Sequence, residues 1–210
     1  MEKNILDRIA ECKIIPVVKI DDVQDTLPLM KALKAGGIMS AEITFRTAVG
    51  PDALALAARS CPDMLIGAGT VINAEQATKA VSLGAAFVVG PGFSKDVADV
   101  CREAGVLYLP GVVTPTEVMM AIAEGLKVVK FFPAENYGGV KTIKALAGPF
   151  PGLKFMPTGG ISAENIKSYF DSGKVIACGG SWMVKDSLIK AKEFDKITAL
   201  SKEAMEVVNQ

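Results

Sequence analysis

The feature that most constrains this chain is a repeating alternation. Strand-sized apolar runs rich in β-branched residues are each followed by a longer amphipathic stretch. The runs fall at 14–20, 39–45, 64–71, 85–91, 106–113, 127–133, 154–159 and 175–180. Helical periodicity marks 23–35, 52–60, 74–83, 95–104, 116–124, 140–146, 163–172 and 193–208. Continuous apolar strands joined by helices pair in parallel, with both sheet faces covered. Eight such units within 210 residues predict an α/β protein of one domain, residues 1–210. They favour a single closed (β/α)8 TIM barrel over an open doubly wound sheet. Residues 1–13 predict an extra helix before the first strand, placed as a lid over the barrel's bottom.

The punctuation agrees. Asn73, Ser94, Thr114 with Pro115, and Ser162 stand where helices should start, as capping residues and a first-turn proline. Gly36, Gly84, Gly105, Gly125 and Gly173 stand where helices should stop.

Several function classes are excluded early. With 23 basic and 23 acidic side chains the formal net charge is zero, whereas a nucleic-acid binder concentrates basic residues on one face. The first residues, MEKNILDRIAE, are too charged for a signal peptide, and the apolar runs are too short for a membrane span. Cys12, Cys61, Cys101 and Cys178 are scattered and read as reduced thiols of a cytoplasmic protein. The chain contains no histidine. His-based triads and the usual zinc sites are therefore ruled out, and acid–base chemistry falls to carboxylates, Lys, Tyr, Cys or water.

Catalysis in a barrel of this type sits at the C-terminal ends of the strands. Lys130, in KVVKFFPAEN, interrupts an apolar strand and shares a face with Val128 and Phe132. Apolar surroundings disfavour an ammonium ion and so favour the free amine, which is the nucleophile. The plainer reading is a salt-bridged structural lysine. In MSAEITFRT, alternation places Glu42, Thr44 and Arg46 on the face opposite Ala41, Ile43 and Phe45. That makes Glu42 the candidate general base, against an inward Glu42–Arg46 pair that only stabilises the barrel. PTGGI and CGGS close the seventh and eighth strands, where this fold often binds phosphate. Gly159, Gly160, Gly180 and Ser181 are the expected cradle, against tight turns alone. Trp182 is expected to pack, Lys19 to be a rim charge, and Met119 and Met120 to be helix core.

In order along the chain, EITFRT, GAGTV, GPG, PGVVTPTE, VKFFPAE, GPFPGLKFMPTGGI and CGGSWMV resemble the 2-keto-3-deoxy-6-phosphogluconate (KDPG) aldolase family. That family includes members that also cleave 4-hydroxy-2-oxoglutarate, and the resemblance spans essentially the whole chain. It implies Lys130 as the Schiff-base lysine and Glu42 as general acid and base. Arg46 and Thr70 would hold the pyruvate carboxylate beside Pro91 and Phe132 as pocket walls. Gly159, Gly160 and Ser181 would receive the distal phosphate, and Thr158 would influence stereochemistry at the new hydroxyl carbon. It further implies a homotrimer, with no cofactor and no metal. The competing readings are a phosphate-binding barrel isomerase using Glu42 as base, with Lys130 as a fixed charge, and a non-catalytic sugar-phosphate-binding barrel.

Overall fold

The computed structural model describes residues 4–210. Its strands are β1 (Ile14–Val18), β2 (Ser40–Thr44), β3 (Leu65–Gly69), β4 (Phe87–Val89), β5 (Leu107–Leu109), β6 (Gly111–Val112), β7 (Val128–Phe131), β8 (Lys154–Pro157) and β9 (Cys178–Gly180). The helices are α1 (Ile5–Cys12), α2 (Thr26–Ala35), α3 (Gly50–Ser60), α4 (Ala74–Ser82), α5 (Lys95–Ala104), α6 (Pro115–Ala123), α7 (Gly139–Ala147), α8 (Ile166–Phe170), α9 (Asp186–Lys190) and α10 (Phe194–Asn209). Every named strand pair is parallel. The strands fall into a six-stranded sheet, β5-β4-β3-β2-β1-β9, and a three-stranded sheet, β6-β7-β8.

The break between the sheets has a local cause. The fifth apolar run divides into β5 and β6 at Pro110, which has no N–H to give to a ladder. Its carbonyl still accepts from Lys130 N at 2.9 Å, and Gly111 N donates to Gly90 O at 3.1 Å. On the other side, isolated parallel bridges join Thr158 to Gly179 and Phe155 to Val175.

Strands covered on both faces should feed two apolar layers, and they do. In β1, Ile14 and Val18 join the large cluster under the helices, while Ile15 joins a smaller one. The smaller cluster is Ile9, Ile15, Leu65, Phe87, Val89, Leu109, Val128, Met156 and Ala177, contributed mostly by the strands. The Phe87 ring fills the space over Gly67, where an added Cβ would lie 2.6 Å from Cδ2. Ile9 of α1 is fully buried in this cluster. Burying such a side chain contributes about 1.5–3 kcal/mol, enough to dock a short helix against the inner cluster. Asn4 caps α1 through Leu6 N. Residues 1–3 of the expected helix lie outside the described residues.

The expected caps hold at Asn73, Ser94 and Thr114, each accepting from a backbone N–H in the first turn. Three expectations need correction. Ser162 does not start a helix: its N–H is taken by Asn165 Oδ1 at 2.9 Å, and α8 begins only at Ile166. Gly36 has an ordinary φ of −83°, and the left-handed residue is Gly37, at +87°. Gly36 is needed for packing: a Cβ there would lie 2.8 Å from Thr198 O and overlap Ser201 on α10. Met119 and Met120 are not core either. They are 60% and 45% exposed on α6, because the buried face of that helix is set by Val118 and Ala121.

Candidate active site

Lys130 lies in β7 opposite Gly111 on one side and Met156 on the other. Its neighbour two residues earlier, Val128, belongs to the inner apolar cluster, so alternation carries the lysine to the same interior. Glu42 arrives from across the interior, on β2 between Val17 and Gly67. Lys130 Nζ sits 3.5 Å from Glu42 Oε1, with the two side chains 6% and 1% exposed. The Phe132 ring centroid is 5.0 Å from the same nitrogen. The lysine's partner is therefore the candidate base. Arg46, exposed two residues past the end of β2, instead donates through Nε to Thr44 Oγ1 at 3.2 Å.

This pair is under-satisfied for a structural salt bridge. Withdrawing two charges from water costs several kcal/mol per ion, recovered only with good geometry and further hydrogen bonds. Here the one contact is long, and Glu42 Oε2 is buried with no partner among the described residues. Thr158 Oγ1, just past the end of β8, is likewise buried and unpartnered. Orphaned buried oxygens call for an explanation, and a bound ligand supplies one. The remaining two, on Thr26 and Ser201, belong to α2 and α10.

Close backbone approach shapes the walls. Gly69 lies against the Glu42 side chain, so that an added Cβ would fall 2.6 Å from Cγ and overlap the carboxylate. Gly179 lies against Thr158, where a Cβ would be 3.1 Å from Cγ2 and would overlap the hydroxyl. Thr70 takes a left-handed φ of 59°, a conformation that costs a non-glycine residue roughly 1–2 kcal/mol.

The Thr158–Gly179 bridge sets the two glycine-rich ends side by side. Gly159 and Gly160 have φ of +100° and +79°. The bridge turns the Gly159 N–H to Gly179 O, whereas the N–H groups of Gly160 and Ser181 have no backbone acceptor among the described residues. Ser181 is exposed, whereas Gly180 is buried and faces the Trp182 ring. Trp182 thus packs, as expected. Pro91 is exposed beyond β4. The structure joins Lys130, Glu42 and Phe132 by direct contact. Arg46, Thr70 and Pro91 stand past the ends of β2, β3 and β4. Lys19 is a rim charge paired with Asp21 at 2.8 Å and Asp186 at 3.6 Å.

The cysteines do not compete as nucleophiles. All four are free. Burial pushes the Cys101 thiol up to about 11 and raises Cys178 as well, which suppresses the thiolate. Burial also raises Cys12 and Cys61.

The profile of the KDPG and KHG aldolases matches residues 5–200. The chain belongs to that family. It is 45% identical over 205 residues to a 2-dehydro-3-deoxy-phosphogluconate aldolase of Treponema pallidum, covering 98% of both chains. To the KHG/KDPG aldolase of Escherichia coli K12 it is 39% identical, covering 92% of this aldolase-family chain and 91% of that one. Among solved structures, a KDPG aldolase from Legionella pneumophila, with pyruvate captured as a covalent carbinolamine, superposes with a TM-score of 0.92. The two share 39% identity over 96% of this chain and 98% of the other.

Sequence reasoning did not single out Gly69, although the repeated glycines of GAGT were visible. It also passed over Glu135, whose buried partner Tyr169 is 34 residues away.

Proposed function

We propose that this chain is a class I aldolase that cleaves 2-keto-3-deoxy-6-phosphogluconate to pyruvate and glyceraldehyde 3-phosphate. The same site would also cleave 4-hydroxy-2-oxoglutarate to pyruvate and glyoxylate. The observation that carries this reading is the buried Lys130–Glu42 pair with its unpartnered carboxylate oxygen. The covalent pyruvate adduct of the Legionella relative supports it.

The free amine of Lys130 adds to the C2 ketone to give a carbinolamine, and loss of water leaves a protonated imine. Glu42, directly or through a water, takes the C4 hydroxyl proton. The C3–C4 bond then breaks, its electron pair moves into the imine, and the aldehyde leaves. The resulting enamine takes a proton at C3 from Glu42, and hydrolysis releases pyruvate and the amine. Arg46 and the neighbourhood of Thr70 would hold the carboxylate, in planar geometry that a lysine could not reproduce. Phe132 and Pro91 would wall the pocket, while Thr158, with its free hydroxyl, would meet the C4 oxygen. Gly159, Gly160, Gly180 and Ser181 would receive the distal phosphate, with the N–H groups of Gly160 and Ser181 as the donors without a backbone acceptor.

On the same reading the two sheets, joined at Pro110 and at Thr158–Gly179, form one closed (β/α)8 barrel and one domain. The assembly would be a cytoplasmic homotrimer serving Entner–Doudoroff carbohydrate metabolism. Exposed Ile122, which shares α6 with exposed Met119 and Met120, lines a groove of about 600 Å³ with Leu126, Phe150 and Leu153. An apolar patch of this kind suits a subunit contact. None of the helices described is long and apolar enough to cross a membrane.

The test is borohydride reduction in the presence of pyruvate, followed by mass spectrometry. A reduced pyruvyl adduct on the peptide containing Lys130 is expected. Folded, unmodified protein at saturating pyruvate would overturn the aldolase reading in favour of an isomerase or a binding protein.

A further inference from the structure

Beyond β7 the chain does not simply leave the sheet. Phe131 O accepts from Thr158 N at 2.9 Å, Ala134 N donates to Thr158 O at 2.8 Å, and Glu135 N donates to Gly159 O at 3.1 Å. The segment after the lysine strand thus carries the Gly159–Gly160 turn along its edge. The Glu135 side chain runs beneath that turn, where a Cβ on Gly160 would lie 2.5 Å from Glu135 Cγ. Its carboxylate ends over Gly139, 2.9 Å from where a Cβ there would sit, and accepts a hydrogen bond from the Tyr169 hydroxyl.

Tyr169 is fully buried on α8, the helix that the glycine turn leads into. On the same stretch Asn165 Nδ2 donates to Gly160 O at 2.8 Å. The contacts close a ring. It runs from the turn through Asn165 to Tyr169, across to Glu135, and from the Glu135 N–H back to Gly159. A phenol-to-carboxylate bond is charge-assisted and roughly twice as strong as a neutral one. This hydrogen bond ties the segment after β7 to α8 beside the candidate phosphate site.

We propose that the Tyr169–Glu135 pair is the positioning device of the Gly159–Gly160 turn, and through it a determinant of affinity for a substrate bearing a distal phosphate. Neither residue touches the reacting atoms. By fixing the side chain under Gly160, the pair holds the unpartnered Gly160 N–H in one direction before the ligand arrives. The anion then binds without having to order the turn itself. It also keeps the Glu135 charge turned onto a phenol and away from an arriving phosphate. The proposal rests on the aldolase reading, because it takes that substrate as its probe.

Two assays separate the roles. Exchange of pyruvate methyl protons in D2O reads imine formation and the base, with no distal group present. Cleavage of 2-keto-3-deoxy-6-phosphogluconate reads both. Tyr169→Phe and Glu135→Ala are each expected to raise KM for the phosphorylated substrate about tenfold, the scale of one lost charge-assisted bond. Methyl exchange should stay within about twofold in both, and the double variant should be no worse than either single. Glu135 is exposed, so Glu135→Ala keeps the test open if Tyr169→Phe fails to fold. An unchanged KM in Glu135→Ala, additive losses, or exchange falling in parallel with cleavage would overturn the proposal. Wild-type protein that exchanges no pyruvate protons would instead overturn the aldolase reading.

Discussion

At the scale of single residues, the lysine and the carboxylate were legible because β-strand alternation is strict. A lysine two residues from Val128 must share its side of the strand, and Val128 lies in the interior cluster. Glu42 followed from the same rule. What alternation could not give was the partner: Glu42 was open to pairing with Arg46, and the structure pairs it with Lys130. Two substitutions follow. Lys130→Arg keeps a positive charge, but a guanidinium is always protonated and forms no imine. Aldol cleavage is expected to fall by about 10⁴-fold or more, whereas an isomerase using Lys130 only as a charge would keep activity. Steady-state cleavage with the purified variant decides it. Gly69→Ala would drive a methyl into the Glu42 carboxylate. A displacement of about 1 Å can cost on the order of 100-fold in rate. Pyruvate proton exchange should therefore drop by that order while the folded structure, followed by circular dichroism, persists. Exchange at the wild-type rate would mean that Glu42 is not the proton carrier.

At the scale of elements, helix starts read well where a side chain caps its own helix and poorly where it caps something else. Asn73, Ser94 and Thr114 obey local hydrogen-bonding chemistry, whereas Ser162 has the right residue type but is held by Asn165 in the loop. Helix α6 carries a full capping box: Thr114 Oγ1 accepts from Glu117 N at 3.3 Å, and Glu117 Oε2 accepts from Thr114 N at 2.8 Å. Burial works against ionisation of Glu117, but the N–H of Val113 and the hydroxyl and N–H of Thr114 outweigh it and hold the carboxyl below its usual range. A carboxyl lowered in the folded state stabilises above its unfolded value, and that contribution is lost as pH falls through the folded one. Thr114→Ala is expected to cost about 1 kcal/mol at neutral pH. Glu117→Gln should cost less at pH 3 than at pH 7, as read from urea midpoints at the two values. An equal cost at both would show that the charge of Glu117 does not contribute.

At the scale of the whole molecule, periodicity revealed how many β–α units there are, because each unit repeats the same local code. It did not reveal which helix faces stay outside. Met119 and Met120 match a core pattern as well as Val118 does, and only the docking of α6 on the strands decides between them. The same packing has a titratable consequence that no local motif carries. Cys101, Cys178, Tyr108 and Tyr169 are all buried, and burial raises each of them. At neutral pH all four are uncharged and fit the interior. As pH climbs past the unfolded values, near 8.5 for cysteine and 10 for tyrosine, the unfolded chain releases protons that the folded chain retains. Stability that is complete at pH 8 must then decline, by up to about 1.4 kcal/mol per pH unit for each such group. Urea midpoints should therefore fall between pH 8 and pH 11. Cys101→Ala removes one of the four. It lowers stability at pH 8 through the lost packing, but should make the decline between pH 9 and pH 11 shallower, since the Cys101 thiol itself titrates at about 11. Parallel pH curves for wild type and Cys101→Ala would mean that this thiol ionises equally in the folded and unfolded chains, contrary to its burial.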